Sequence, residues 1–68
     1  MSTHNVYKVT SHDATEYLQN KRDALRFARS EAARSGRTVE IETATFAGVR
    51  YDESAVVIRR SVERVVPQ

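Results

Sequence analysis

The arginines between residues 20 and 36 form the densest cluster in the sequence of side chains that could bind a ligand. Arg22, Arg26 and Arg29 follow the spacing i, i+4, i+7, which places their guanidinium groups on one face of a helix. Guanidinium groups bind carboxylates and phosphates through paired hydrogen bonds, so the spacing predicts a docking surface for an acidic protein or for nucleic acid. The alternative is a solvated helix face whose arginine stems cover apolar surface.

Arginines elsewhere in the chain are candidates to extend this surface. Arg34 lies near the predicted helix end, and Arg59 and Arg60 follow an apolar segment. Arginine is enriched in protein interfaces. We therefore predict partner contacts at six positions, namely Arg22, Arg26, Arg29, Arg34, Arg59 and Arg60. Phosphate contacts through the same arginines would instead give strongly salt-dependent binding to nucleic acid.

The residue types used in catalysis are sparse. His4 and His12 are the only histidines, and His12 has Asp13 beside it but no evident third ligand for a catalytic metal. With glycine only at Gly36 and Gly48, the chain cannot form a glycine-rich phosphate loop. We expect no enzymatic activity, no metal and no cofactor.

Glu40 and Glu42 are the other pair of groups whose spacing suggests chemistry. They fall on one face of a predicted strand, where paired carboxylates perform acid–base catalysis only if burial separates their pKa values. On an open sheet face they are more typical of cross-strand partners, here for Lys8 or Arg59. They would also repel phosphates, which weakens the case for RNA binding on the sheet face.

A helix must position the arginines, and its ends are marked in the sequence. Asn20 is a strong N-cap residue, Asp23 lies in the first turn, and Gly36 is suited to a left-handed position after the last turn. At about 100° per residue, one arc of this helix is apolar. Its members are Ala24, Leu25, Phe27, Ala28 and Ala32.

Alternating and β-branched segments predict four strands around this helix. They are Val6 to Thr10, Thr15 to Gln19, Thr38 to Phe46 and Ala55 to Arg60, with a loop from Ala47 to Ser54. Residues 61–66 fit either a continuation of the last strand or a helix, and their β-branched content favours the strand.

The order ββαββ predicts an α+β fold, with one helix packed on one face of a small, mainly antiparallel sheet. A single domain should span residues 1–68, with residues 1–4 and 67–68 frayed. The predicted core consists of Tyr7, Val9, Leu18, Leu25, Phe27, Ala28, Ala32, Val39, Ile41, Val56 and Ile58.

Size and composition limit the possible partners and locations. The chain has 68 residues, a net charge of +2 and no cysteine, so a small core must be stable without disulfides. Such cores often depend on oligomerisation, and we expect a homodimer. Since the N-terminus has no apolar leader and no segment matches a membrane span, we expect a cytoplasmic protein.

The apolar segment Ala55–Ile58 allows two interpretations. It is either an ordinary core strand or a sheet edge that pairs with a partner or a second copy. In the second case, Arg59 and Arg60 would guard the edge against aggregation.

The layout resembles small orphan proteins of phages and mobile elements, including some anti-CRISPR inhibitors with the order ββαββ. The resemblance rests on Asp23–Arg29 followed by Gly36–Thr43, which is an amphipathic helix, a glycine and an alternating strand. It implies a protein that binds and blocks a host complex, often at a basic groove or a nucleic-acid channel. This chain differs in being basic, which argues against a mimic of nucleic acid.

Overall fold

The computed structural model describes residues 3–67 and confirms the predicted α+β fold. The chain forms a four-stranded antiparallel sheet in the order β2-β1-β3-β4, with one helix packed against it. The elements are β1 (Thr3–Thr10), β2 (Thr15–Leu18), α1 (Lys21–Ser35), β3 (Val39–Ala47) and β4 (Val56–Val65). Within residues 3–67, no helix is long and apolar enough to cross a membrane.

Helix α1 begins and ends where its capping residues predict. The Asn20 side chain accepts hydrogen bonds from the backbone N–H groups of Arg22, at 2.8 Å, and Asp23, at 3.4 Å. Gly36 adopts the left-handed conformation (φ 69°), and its N–H donates to the Ala32 carbonyl oxygen.

The main core lies between α1 and the half of the sheet that contains Val39. Ala24, Ala28 and Ala32 are fully buried along one line of the helix, and their small side chains let the helix approach the sheet closely. They pack against buried residues of β1 and β3, while Leu18, Leu25, Phe27 and Val65 are partly buried around them. The buried sheet residues are Tyr7, Val9, Val39 and Ile41.

A second, smaller core that the sequence did not predict lies on the opposite face of the sheet. Val6, Ala44 and Phe46 are buried there, with Ala55 and Val57 packed against them. Tyr51 extends from the loop after β3, and its ring centroid lies 5.3 Å from that of Phe46. The loop between β3 and β4 therefore covers the end of the sheet that α1 leaves uncovered.

The prediction that Val56 and Ile58 belong to the core is wrong, because their exposed fractions are 65% and 60%. Strand β4 is an edge strand, and Val56 pairs with Ala47 at the end of the sheet far from α1. A shift of register between Thr45 and Phe46 leaves Ile58 without a partner on β3, as in a β-bulge. Alternation alone does not show which strand lies at an edge.

The two ends of the chain differ in detail from the prediction. Residues 61–65 continue β4 as a single strand, as their β-branched content favoured. Strand β1 begins at Thr3, where the sequence predicted fraying through residue 4, because Thr3 and His4 pair with Ala47 and Phe46. The predicted fraying of residues 1, 2 and 68 lies outside the described residues.

Candidate protein-docking surface

Arg22, Arg26 and Arg29, here called the arginine stripe, are all exposed on α1. Since the buried alanines hold the opposite side of the helix on the sheet, the helical repeat turns the stripe away from the core. None of the three forms an ion pair within residues 3–67. Their guanidinium groups are therefore available to an external anion.

Arg34 is also on α1, but its guanidinium group forms ion pairs within the molecule. Its guanidinium group donates to both carboxylate oxygens of Glu31 at 2.8 Å and to Asp13 at 3.3 Å. Asp13 lies in the turn between β1 and β2, so this network ties the turn to the last turns of the helix. Arg34 therefore has two carboxylate partners within the molecule, and the partner contact predicted at this position stays a prediction.

Arg34 also controls the ionisation of Glu31. Its hydrogen bond and positive charge lower the pKa of the Glu31 carboxyl below the ordinary value of 4.5, partial desolvation opposes this, and a hydrogen bond from Ser11 adds to it. The same pair raises the pKa of Arg34. The carboxylate is therefore ionised at neutral pH, and its ion pair with Arg34 is intact there.

Arg59 and Arg60 are neighbours on β4 but point to opposite faces of the sheet. Arg60 pairs with Ala44 in register and donates to Glu42 at 3.2 Å on the face away from α1. Arg59 pairs in register with Thr45 on the same face as α1, and it is exposed without an ion pair among residues 3–67. The six predicted contact residues therefore do not form a single surface.

Glu40 and Glu42 have cross-strand partners, as predicted, but the partners are different residues. Glu40 accepts a hydrogen bond from Arg64 at 3.2 Å, and Glu42 accepts one from Arg60. Lys8 lies opposite Glu42 in register but forms no ion pair with any of residues 3–67. The sequence pattern placed these groups on one face, but their partners depend on which side chains of the two neighbouring strands, β1 and β4, reach them.

His12 lies in the turn between β1 and β2, where its Nδ1 is 3.1 Å from the Arg37 guanidinium group. Asp13 beside it is paired with Arg34. A cation in direct contact with the imidazole disfavours a metal ion at this position. Within residues 3–67, no three His, Asp or Glu side chains converge as metal ligands would.

A shallow groove between α1 and β4, here called the α1–β4 groove, borders the arginine stripe. Arg29 belongs to both features. On the helix side, Leu25, Arg29 and Ala33 follow one another at intervals of four residues, a row that the sequence already contains. On the strand side, the groove is lined by Glu63, Arg64, Val65 and Val66. Sequence reasoning missed the groove because it depends on which strand lies beside the helix.

Comparisons with known proteins leave the function to be inferred from this geometry. No protein-family model matches the chain, and no match was found among curated proteins or solved structures.

Proposed function

We propose that this protein is a small, non-enzymatic cytoplasmic module that binds an acidic protein surface through the arginine stripe. One observation carries the proposal. Arg34, Arg60 and Arg64 have carboxylate partners within the molecule, whereas Arg22, Arg26 and Arg29 have none among residues 3–67. Three adjacent exposed guanidinium groups match carboxylates on a partner in the manner typical of arginine at interfaces.

The α1–β4 groove supports a protein partner over a simple anion. Leu25 and Val65 are partly buried in it, next to exposed Val66 and to Arg29 of the stripe. An apolar side chain of the partner can enter the groove while neighbouring carboxylates contact the stripe. Binding energy at interfaces concentrates where apolar anchors are surrounded by such polar contacts.

Nucleic acid is the second candidate ligand for the same stripe. The pairing of Glu40 with Arg64 and of Glu42 with Arg60 reduces the repulsion that these carboxylates would exert on phosphates. Arg60 and Arg64, which neutralise these carboxylates, are however less available to bind phosphates themselves. Three phosphate contacts from the stripe would make the logarithm of the affinity for duplex DNA fall with that of the salt concentration with a slope of about −3.

The first test is affinity capture from a lysate of the source cell, with and without nuclease, followed by mass spectrometry. Three proteins are compared: the wild type, a stripe variant (R22Q/R26Q/R29Q) and a control (K8Q/R37Q/R50Q) with the same change in charge away from the stripe. We expect a protein partner that survives nuclease and is lost only with the stripe variant. Equal recovery with both variants would show that the stripe is a solvated helix face.

Loss of recovery after nuclease treatment would instead favour the nucleic-acid candidate. Fluorescence anisotropy with a labelled DNA duplex then measures the salt dependence directly. The stripe variant should flatten the salt slope, whereas the control variant should leave it unchanged. If the recovered partner is a host defence complex, the role implied by the phage-protein resemblance becomes the working hypothesis.

A further inference from the structure

Strand β4 leaves one whole edge of the sheet open. It is ten residues long and lies at the end of the order β2-β1-β3-β4, so no strand among residues 3–67 lies beside its outer backbone groups. Val56, Ile58 and Val62 are 65%, 60% and 56% exposed along it. A long edge strand with exposed apolar side chains is a template for pairing with another strand.

We propose that β4 pairs antiparallel with β4 of a second copy of this chain, about a two-fold axis at Ser61. An axis perpendicular to the sheet is the symmetry that relates two antiparallel edge strands, and it keeps the same faces of both sheets on the same side. Residues opposite each other across the junction then share a face, so the axis must pass through a residue of β4. The charges of the residues that face each other across the junction decide which residue of β4 lies on the axis.

The axis at Ser61 places Arg59 opposite Glu63 of the second copy, and the symmetry repeats this pair. Both side chains lie on the helix face of the sheet, because Arg59 is in register with Thr45 and Glu63 with Ile41. Arg59 has no ion pair among residues 3–67, and the contact of Glu63 with Lys21 is long, at 3.7 Å. Opposite charges directly across antiparallel strands stabilise the pairing.

The neighbouring registers bring like charges together. An axis at Arg60 or at Glu63 sets that residue opposite its own copy, and an axis at Val62 sets Arg60 opposite Arg64. Like charges directly opposite each other are destabilising. At Ser61, by contrast, Arg60 lies opposite the uncharged Val62, and no like charges face each other.

This dimer would be one continuous sheet with both helices on the same face. The arginine stripes of the two copies would then face the same side of the assembly, which would allow divalent binding to a partner. The pairing involves none of the stripe residues, although Glu63 also lines the α1–β4 groove. The mass of the purified protein therefore tests the dimer, whereas capture of a partner tests the proposed function.

Charge reversal tests the register. In R59E homodimers both pairs become Glu–Glu, and in E63R homodimers both become Arg–Arg. Each variant should raise the dimer dissociation constant by about tenfold or more. An equimolar mixture of the two variants should restore dimerisation, because every pair in the mixed dimer joins opposite charges.

Sedimentation equilibrium over a range of protein concentrations measures the result, against a chain mass of 7.7 kDa. Circular dichroism checks that each variant is folded, and the restored mass of the mixture checks this independently. A wild-type protein that stays monomeric at high concentration would overturn the proposal. So would a dimer that neither single variant weakens, or single variants that weaken it but do not associate when mixed.

Discussion

Glu31 links the helix to the turn between β1 and β2. Its carboxylate accepts hydrogen bonds from Arg34 at 2.8 Å and from the Ser11 hydroxyl at 3.3 Å, and its side chain is only 12% exposed. These contacts lower the pKa of Glu31, with the Arg34 hydrogen bond as the largest cause. A carboxyl group whose pKa is lower in the folded state than in the unfolded state makes stability depend on pH.

We predict that Glu31→Gln destabilises the fold at neutral pH and that the difference from the wild type disappears in acid. The stabilisation by the ionised carboxylate is fully present above the ordinary pKa of 4.5. It is lost as the pH falls through the lower pKa of the folded state. Urea unfolding of both proteins at neutral pH and well below pH 4.5 measures this difference.

The control for this prediction is Glu53→Gln, since Glu53 is exposed and forms no ion pair within residues 3–67. Its substitution should leave stability nearly unchanged at both pH values. A gap between Glu31→Gln and the wild type that persists unchanged in acid would show that shape or packing, rather than ionisation, accounts for the effect.

The buried alanines of α1 set the distance between the helix and the sheet. They are Ala24, Ala28 and Ala32. Ala28 is fully buried between the other two, so Ala28→Leu inserts a larger side chain where the packing leaves no room. We predict a destabilisation of about 1–3 kcal/mol, measured as a lower urea midpoint. Ala33→Leu is the matched control, because Ala33 is exposed on the same helix. Equal effects of the two substitutions would contradict close packing at Ala28.

The sequence predicts α1 well because the determinants of a helix are local. Asn20 and Gly36 cap it through contacts with residues in the adjacent turn, and the helical period alone puts Arg22, Arg26 and Arg29 on one face. The spacing of Glu31 and Arg34 also permits their ion pair.

Strand order and register are determined by distant parts of the chain, so single-sequence patterns say little about them. The residue type and the neighbours of Ile58 predict a core position, but Ile58 lies at a bulge on an edge strand and is exposed. For the same reason, the partner of Glu42 is Arg60 rather than Lys8. The groove beside the arginine stripe exists only because β4 lies next to α1.

The whole molecule is elongated, at 40 × 19 × 16 Å, along strands of eight to ten residues, and its two cores lie on opposite faces and at opposite ends of one sheet. Helix α1 covers the end with Val39 and Ile41, and the loop with Tyr51 covers the end with Phe46 on the other face. Strand β3 runs through both and is paired on both sides along its length. Each half of β3 therefore depends on a different set of packing contacts.

This arrangement predicts that the Phe46 end can open without the helix end. Phe46→Leu should speed hydrogen exchange of the backbone amides at 44–47 of β3 several-fold more than that of the amides at 39–41, since local opening exposes only the weakened core. Native-state exchange followed by NMR compares the two groups within one strand. Ile41→Val, which loosens the helix-side core, should reverse the order. Uniform acceleration along β3 in both variants would mean that the two cores unfold together, and that the loop over Phe46 is as integral to the fold as α1.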